Sequence, residues 1–188
     1  MCNCQNNKLV TNLIDSELIN FETKAYQKNK GVFDFNINNI KNNDGKWTIL
    51  FFYPANFTSL CNSEVLDLNA ILADIEKDNI QAFVASCDSV HSHFAFANSS
   101  EQNKQINLTF IDDKNSKIAR SLGIYNFDNG LSYRGTFIIS PEGIIKAYEI
   151  HDFKIGRDVK EDFRKAKAAR YVANNNNSAC SIKEVGRQ

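Results

Sequence analysis

The chain of 188 residues has few residues that break regular structure and no excess of either charge. It contains 2 prolines and 8 glycines, which excludes a collagen-like or linker-like chain. Lys and Arg together number 22, as do Asp and Glu, so the formal net charge is zero. Binding to the phosphates of nucleic acids needs clustered basic residues, and a balanced chain is a poor candidate for it. Because 43% of the residues are hydrophobic, the chain can bury a core, and wholesale disorder is excluded.

Long apolar segments and paired cysteines are also missing. The longest apolar run, residues 47–53, is far shorter than a membrane span. The N-terminus has no basic segment followed by an apolar one, so we expect no secretory signal. The five cysteines, at positions 2, 4, 61, 87 and 180, are odd in number and scattered, which disfavours a disulfide framework. We therefore expect a cytoplasmic protein, in which a cysteine is reactive, metal-bound or buried rather than cross-linked.

The order of the apolar segments predicts an α/β fold. Residues 47–53 form a continuous apolar run typical of a central buried strand, and residues 80–86 form a second. Helical spacing of apolar residues begins at Thr58 and occurs again at residues 157–172. A Pro-Glu-Gly turn at 141–143 lies between two further strands. Strands that alternate with helices predict a sandwich, with a central mixed sheet flanked by helices on both faces.

Residues 1–172 are predicted to form one domain, of which residues 1–20 are loosely ordered. Residues 173–188 show no periodicity and are predicted to form a C-terminal arm. The other predicted elements are a strand pair within residues 24–38, a helix at 91–102, a strand at 108–111 and a short helix at 116–122 that ends at Gly123.

Cys61 lies where the chain leaves the first buried strand through Pro54 and enters a helix. The carboxyl edge of a sheet strand is where α/β folds build sites. The N–H groups and the positive dipole end of a helix N-terminus can lower the pKa of a thiol below its ordinary value of about 8.5, which favours the reactive thiolate. Thr58 can place a hydroxyl beside this sulfur. The alternative is that Cys61 is a small apolar residue at a helix start.

Three segments together resemble a known family. Residues 51–65, FFYPANFTSLCNSEV, closely resemble the Pro-x-x-x-Thr-x-x-Cys loop of the peroxiredoxins, and particularly their alkyl hydroperoxide reductase C branch. Residues 133–145, in which Arg134 precedes a strand hairpin, resemble the second signature of that family. Residues 155–173 resemble the helix that leads to its resolving cysteine. The resemblance implies a thioredoxin-like fold.

The resemblance also implies roles for individual residues. Cys61 matches the peroxidatic cysteine of the family. Thr58 and Arg134 match the threonine and arginine that polarise the peroxide. Pro54 matches the proline that shields the pocket, and Glu64 matches the glutamate that orients the arginine.

Cys180 follows the last predicted helix and matches the resolving cysteine, whose disulfide in the family usually joins two subunits. The alternative is a free thiol in a flexible tail. Two departures from the family pattern are Asn62 and Ser181, each of which replaces a proline that usually follows the cysteine. Since proline presets a helical φ in the first turn, we expect Asn62 to loosen the turn around Cys61.

The implied activity is that of a thiol-dependent peroxidase, which reduces hydrogen peroxide and organic hydroperoxides through a sulfenic acid and an intersubunit disulfide. No cofactor or metal is implied. The implied partners are a dithiol reductant, either a thioredoxin-like protein or a flavoprotein disulfide reductase, and further copies of the chain in a homodimer or a ring of dimers. Neither nucleic acid nor a membrane is an expected partner. The alternative is a non-catalytic redox sensor or chaperone-like assembly that uses the same cysteine.

The remaining cysteines and histidines are interpreted as outside the site. Cys87, at the end of a strand, is predicted to be a small buried residue. Cys2 and Cys4 are predicted to be exposed and functionally neutral, because no further ligand lies near them in the sequence. His91 and His93 lack a third ligand at suitable spacing and are predicted to lie on a helix surface.

Overall fold

The computed structural model describes residues 12–41, 43–175 and 178–181. Among them, the strands are β1 Glu22–Gln27, β2 Gly31–Asn36, β3 Trp47–Phe52, β4 Ile80–Ser86, β5 Thr109–Asp112, β6 Tyr125–Asn126, β7 Leu131–Ser132, β8 Arg134–Ile139 and β9 Ile145–His151. The α-helices are α1 Ser59–Ala70, α2 Leu72–Lys77, α3 Val90–Ala97, α4 Lys117–Ser121 and α5 Val159–Asn174. Short 3₁₀ turns lie at Ile37–Asn39 and Asn103–Gln105.

Seven of these strands form one mixed sheet in the order β2-β1-β5-β4-β3-β8-β9. Strand β4 runs parallel to β3 and to β5, whereas β8 runs antiparallel to β3 and to β9. All residues of β3 and β8 are buried. A strand covered on both faces needs a continuous apolar run, which explains why β3 was predictable. The predicted α/β class with a central mixed sheet is confirmed.

Side chains of β3 alternate between two hydrophobic cores, as the pleat of a strand requires. Ile49 and Phe51 pack with residues of α1, α2, α3 and α5 on one face of the sheet. Leu50 and Phe52 pack on the other face with α4 and with residues from the segment before β1. Full burial of each such side chain contributes about 1.5–3 kcal/mol. The strand is therefore held firmly from both faces, and so is the loop that follows it.

The segment 12–20 packs against the domain, so the loose order expected for residues 1–20 is not found in the part of that range that the structure describes. Leu13 and Leu18 are buried in the second core. Glu17 pairs with Ile144 at the turn between β8 and β9. These contacts are long-range and leave no periodic pattern in the sequence, so only the tertiary structure shows them. Residues 1–11, with Cys2 and Cys4, lie outside the described part of the chain.

Most other predicted elements occur within a few residues of their expected bounds. The exception is the helix predicted at residues 91–102, because α3 ends at Ala97. There the side-chain amide of Asn98 donates to the carbonyl of Phe94 at 2.8 Å and satisfies the helix end. Gly123 follows α4 with φ of 68°, a left-handed conformation that suits glycine at a helix C-terminus. The short β6–β7 hairpin was not predicted.

Helix α5 is the last element of the described domain. Its N-cap Asp158 accepts a hydrogen bond from the backbone N–H of Lys160 at 2.9 Å, and Ala166 is buried against the sheet. The helix continues to Asn174, two residues into the predicted arm. Cys180 lies in the last described segment and is half-buried. Among the described helices, none is long and apolar enough to cross a membrane.

Candidate active site

Cys61 lies in the first turn of α1, at the carboxyl end of the central strand β3. The connection between the two elements is sharply turned, with Phe57 at a φ of 61°, which is unusual for a bulky residue. Pro54 is buried in this loop. Thr58 has an extended backbone and is the N-cap of α1. The fold thus fixes the sulfur near the N–H groups at the start of a helix, where negative charge is stabilised.

Arg134 provides the cation that the sequence predicted for this sulfur. Its Nη1 donates to the Sγ of Cys61 at 3.4 Å, although 73 residues separate the two. The antiparallel register that pairs Phe52 with Gly135 places Arg134 just beyond the end of β3, beside α1. Arg134 is buried, and its Nε and Nη2 donate to the carbonyl of Phe153 at 3.0 and 2.8 Å. The guanidinium is therefore held in one orientation, with a donor directed at the sulfur.

Glu64 connects Arg134 to a second arginine that sequence reasoning did not assign to the site. The carboxylate of Glu64 accepts a hydrogen bond from Arg134 Nη1. It also accepts from the Nε and Nη2 of Arg157, each at 3.1 Å, and from the backbone N–H of Arg157 at 2.9 Å. The predicted orienting contact between Glu64 and Arg134 is therefore present in the structure. The signal available in the sequence was Arg157 within the quoted family-like segment 155–173, just before the last helix.

Arg157 is buried although it carries a full charge. Its guanidinium carbon lies 3.4 Å from the ring centroid of Phe51 in β3, close enough for a cation–π contact. Burial lowers the pKa of Arg157, and its hydrogen bonds to Glu64 oppose that effect. Its Nη1 donates to the hydroxyl of Thr136 in β8 at 3.2 Å. The site thus contains two buried arginines bridged by one carboxylate.

Thr58 does not hydrogen-bond to the sulfur in this structure. Its hydroxyl donates to the carbonyl of Ala55 at 3.4 Å and is exposed. Among the described residues, the hydrogen-bond partner of the Cys61 sulfur is Arg134. The role of Thr58 toward a peroxide stays a prediction, as do the roles of Pro54 and Cys180.

The structure does not show Asn62 simply loosening the first turn of α1, as the sequence predicted. Its backbone N–H donates to the carbonyl of Thr58 at 3.0 Å, a bond that a proline at this position cannot make. Its side-chain Oδ1 is buried and has no hydrogen-bond partner among the described residues, which is unfavourable for the closed turn. Asparagine in place of proline therefore stabilises the turn through its backbone N–H and destabilises it through its unpaired side-chain oxygen.

The described cysteines are free thiols in different surroundings. Cys61 is fully buried, whereas Cys180 is partly exposed and its Sγ lies 3.5 Å from the carbonyl of Ser181. Cys87 is half-buried, and burial together with the charge of Asp113 raises the pKa of the Cys87 thiol to about 12. Cys87 is therefore a protonated, unreactive thiol at neutral pH.

His93 is buried, and its predicted position on a helix surface is wrong. It shares the inward face of α3 with Val90 and Phe96, and this helical spacing was the signal available in the sequence. The ring Nε2 lies 3.1 Å from the carbonyl of Ile111, and Nδ1 lies 3.3 Å from the hydroxyl of Tyr53. Burial lowers the pKa of His93 to about 4, so the ring is neutral at physiological pH. No group of three or more His, Cys, Asp or Glu side chains among the described residues is arranged to hold a metal ion.

Solved structures with the same arrangement of strands and helices define the class of fold. The crystal structure of AhpC from Enterococcus faecalis matches with a TM-score of 0.85 and 36% identity, over 90% of this chain and 99% of that one. The reduced 2-Cys peroxiredoxin of Plasmodium vivax matches with a TM-score of 0.81 over 90% of this chain and 88% of that one. At 24% identity, the second likeness shows the fold alone. The predicted thioredoxin-like sandwich is confirmed.

Sequence comparison identifies the family more closely. The pattern of the AhpC/TSA family matches residues 14–148. Alkyl hydroperoxide reductase C of Amphibacillus xylanus is 36% identical over 171 residues, which cover 91% of this chain and 89% of that protein. The protein of the same name from Bacillus subtilis is 35% identical over equal shares of both chains. The chain belongs to the AhpC/TSA family, and the resemblance to its alkyl hydroperoxide reductase C branch is confirmed.

Proposed function

We propose that the protein is a thiol-dependent peroxidase of the peroxiredoxin type, which reduces hydrogen peroxide and organic hydroperoxides. The observation that carries this proposal is the buried sulfur of Cys61 at a helix start, with the guanidinium of Arg134 at 3.4 Å. A fixed cation and helix N–H groups favour the thiolate, the nucleophile that peroxide reduction requires. Relatives named alkyl hydroperoxide reductase C support a hydroperoxide substrate.

In the first step, the thiolate of Cys61 attacks the distal oxygen of the peroxide. The S–O bond forms as the O–O bond breaks, and the leaving alkoxide takes up a proton to become an alcohol or water. Arg134 stabilises the negative charge that develops on the leaving oxygen, and Thr58 aligns the peroxide. The peroxide approaches along the loop before α1, where Phe57 and Thr58 are exposed. The product at Cys61 is a sulfenic acid.

In the second step, Cys180 of another subunit attacks the sulfenic sulfur, forming a disulfide and releasing water. A disulfide requires Cα atoms within about 7 Å, and Cys61 is buried, so the first turn of α1 has to unwind. We assign Cys180 to an arm that follows helix α5. A dithiol partner, either a thioredoxin-like protein or a flavoprotein disulfide reductase, then returns both cysteines to thiols. Such chemistry suits a reducing cytoplasm.

A homodimer is supported by the edge of the main sheet. Strand β9 is the last strand in the sheet order, so one side of its backbone can pair with another chain. Ile150 on this strand and Ile155 just after it are exposed, at 43% and 57%. We propose that two copies meet along β9. A ring of such dimers is the larger assembly that we expect.

The proposed activity is tested by peroxide consumption in the presence of each candidate reductant. The wild-type protein should consume many equivalents of peroxide per subunit, and Cys61→Ser should consume none. Cys87→Ser is the matched control and should keep wild-type turnover, because burial keeps that thiol protonated. A protein that stops near one equivalent with every reductant would support the redox sensor instead. Relatives named as reductases do not favour that alternative.

A further inference from the structure

The hydrogen-bonded groups of the site continue from Arg157 to a buried carboxyl group. Arg157 Nη1 donates to the hydroxyl of Thr136 at 3.2 Å, and this hydroxyl donates to Oδ2 of Asp162 at 3.1 Å. Asp162 lies on α5 and is 0% exposed. A continuous path of polar contacts therefore joins this carboxyl group to Cys61, through Thr136, two arginines and one glutamate.

Asp162 is poorly provided with hydrogen-bond donors for a buried carboxylate. Its Oδ2 accepts from Thr136, whereas its Oδ1 is buried and has no hydrogen-bond partner among the described residues. A buried carboxylate is stable only when donors or a paired cation replace the water that it loses. The solvation of Asp162 thus favours the protonated carboxyl group.

The charges that face Asp162 come from several elements. Glu149 on β9 opposes its ionisation, whereas Lys165 on α5 and Arg157 before α5 favour it. The ammonium group of Lys165 is hydrogen-bonded to Glu149, which in turn lies 3.6 Å from His151 Nε2. On the side of the active site, Arg157 is paired with Glu64 of α1, and Glu64 with Arg134 of β8. Burial dominates and raises the pKa of Asp162 to about 7.

The buried charges beside Cys61 link the ionisation of the sulfur to that of this carboxyl group. The guanidinium groups of Arg134 and Arg157 carry two positive charges, and Glu64 carries one negative charge. One positive charge remains to be balanced inside the protein. Either the thiolate of Cys61 or the carboxylate of Asp162 can balance it, and the two anions together would leave a buried excess of negative charge.

We propose that Asp162 is a positioning residue for the peroxidatic reaction, whose carboxyl group is protonated while Cys61 is a thiolate and ionises when the sulfur becomes neutral. During the first step the thiolate, the peroxide and the protonated Asp162 give a neutral sulfenic acid, an alcohol and an ionised Asp162. The proton passes through solvent to the leaving alkoxide, so atoms and charge balance. The buried network keeps one neutralising anion before and after the step. This inference rests on the proposed function for the identity of the reacting sulfur.

The first test is the pH dependence of Cys61 alkylation by iodoacetamide in the reduced full-length protein, followed by mass spectrometry of the Cys61 peptide. Two unit charges roughly 10 Å apart in a medium of effective dielectric about 20 displace each other's titration by about one pH unit. Asp162→Asn removes the competing charge at nearly constant size. Its alkylation midpoint should lie lower than that of the wild type by up to about one unit.

The second test measures the reciprocal effect, because coupling between two ionisable groups acts equally on both. The titration of Asp162 is followed by carbon-13 NMR of its side-chain carboxyl carbon, assigned by its loss in Asp162→Asn. In Cys61→Ser the midpoint of Asp162 should fall by about one pH unit relative to the reduced wild type. Because Cys61 ionises before Asp162 in this proposal, a fall of the Asp162 midpoint in Cys61→Ser is the result that supports it. An unchanged Asp162 midpoint in Cys61→Ser overturns it.

A matched control removes a negative charge elsewhere on the same helix as Cys61. Asp67 on α1 is exposed, and Asp67→Asn should leave both midpoints unchanged, since solvent screens its charge. Equal shifts in Asp67→Asn and Asp162→Asn would contradict the proposal, because they would show an effect of net charge. If Asp162→Asn fails to fold, the Cys61→Ser titration still decides. The Asp162 resonance is then assigned by elimination, from Asp→Asn variants at the other aspartates. Neither test uses peroxide, so loss of the proposed peroxidase activity would not imitate a failure of the coupling.

Discussion

Replacement of Glu64 by Gln tests how far the buried charges beside Cys61 stabilise the fold. The Glu64 carboxylate accepts one hydrogen bond from Arg134 and three from Arg157. The side chains of Glu64 and Arg134 are each 3% exposed and that of Arg157 is 0% exposed, so water cannot replace the lost charge. Glutamine keeps the size of the side chain but leaves two arginines buried without their shared anion.

The expected loss of stability follows from the burial of these groups. Breaking a buried ion pair by removing one partner costs about 3–5 kcal/mol, because the remaining charge is uncompensated. In a domain of 150–250 residues, each kcal/mol lowers the melting temperature by roughly 2–4 °C. Glu64→Gln should therefore lower the melting temperature by roughly 6–20 °C.

Circular dichroism during heating and urea denaturation of the reduced protein measure this loss. Glu101→Gln is the matched control, since Glu101 carries the same group in an exposed ion pair with Lys104 at 2.6 Å. That change should leave the stability nearly unchanged, because solvent screens an exposed ion pair. A loss below about 1 kcal/mol in Glu64→Gln would refute the reasoning, because the buried arginines would then need no anion.

Three further changes test other parts of the structure. Arg134→Met should slow alkylation of Cys61 at pH 7 at least about tenfold, because the fixed cation beside the sulfur is lost; an unchanged pH profile would count against this contact. Cys180→Ser should abolish the dimer band that peroxide produces on non-reducing gels, and a persistent band would exclude Cys180 as the resolving residue. His93 should make the native state less stable as pH falls from 6.5 toward 4, since its pKa is lowered to about 4 in the fold and the unfolded chain takes up the proton. As the pH falls from 6.5 to 4, the free energy of unfolding of His93→Gln should therefore rise relative to that of the wild type by up to about 3 kcal/mol, measured by urea denaturation. A difference that does not change with pH would show that burial does not hold His93 neutral.

The sequence alone determined the central strands, the last helix and the position of Cys61 at a helix start. Strand β4 has its predicted bounds, and β3 differs by one residue, because a strand covered on both faces must be apolar along its length. Helix α5 was visible from its amphipathic spacing. Cys61, Thr58 and Pro54 were found together because the strand, the loop and the helix start are adjacent in the chain. These features depend on neighbours in sequence, which a local pattern records.

The family resemblance assigned Arg134 and Glu64 to the site, but only the tertiary structure decided how these groups meet and that Arg157 and Asp162 join them. The register of β3 and β8 brings Arg134 to Cys61. The two residues are 73 positions apart in the sequence, so no local sequence pattern predicts this contact. Arg157 and Asp162 are charged residues at the start of an amphipathic helix, and such residues are normally exposed unless paired. Here the bridging carboxylate of Glu64 and the hydroxyl of Thr136 make their burial possible. Burial of a charge depends on partners brought together by folding, and therefore it cannot be inferred from the residue and its neighbours in the chain.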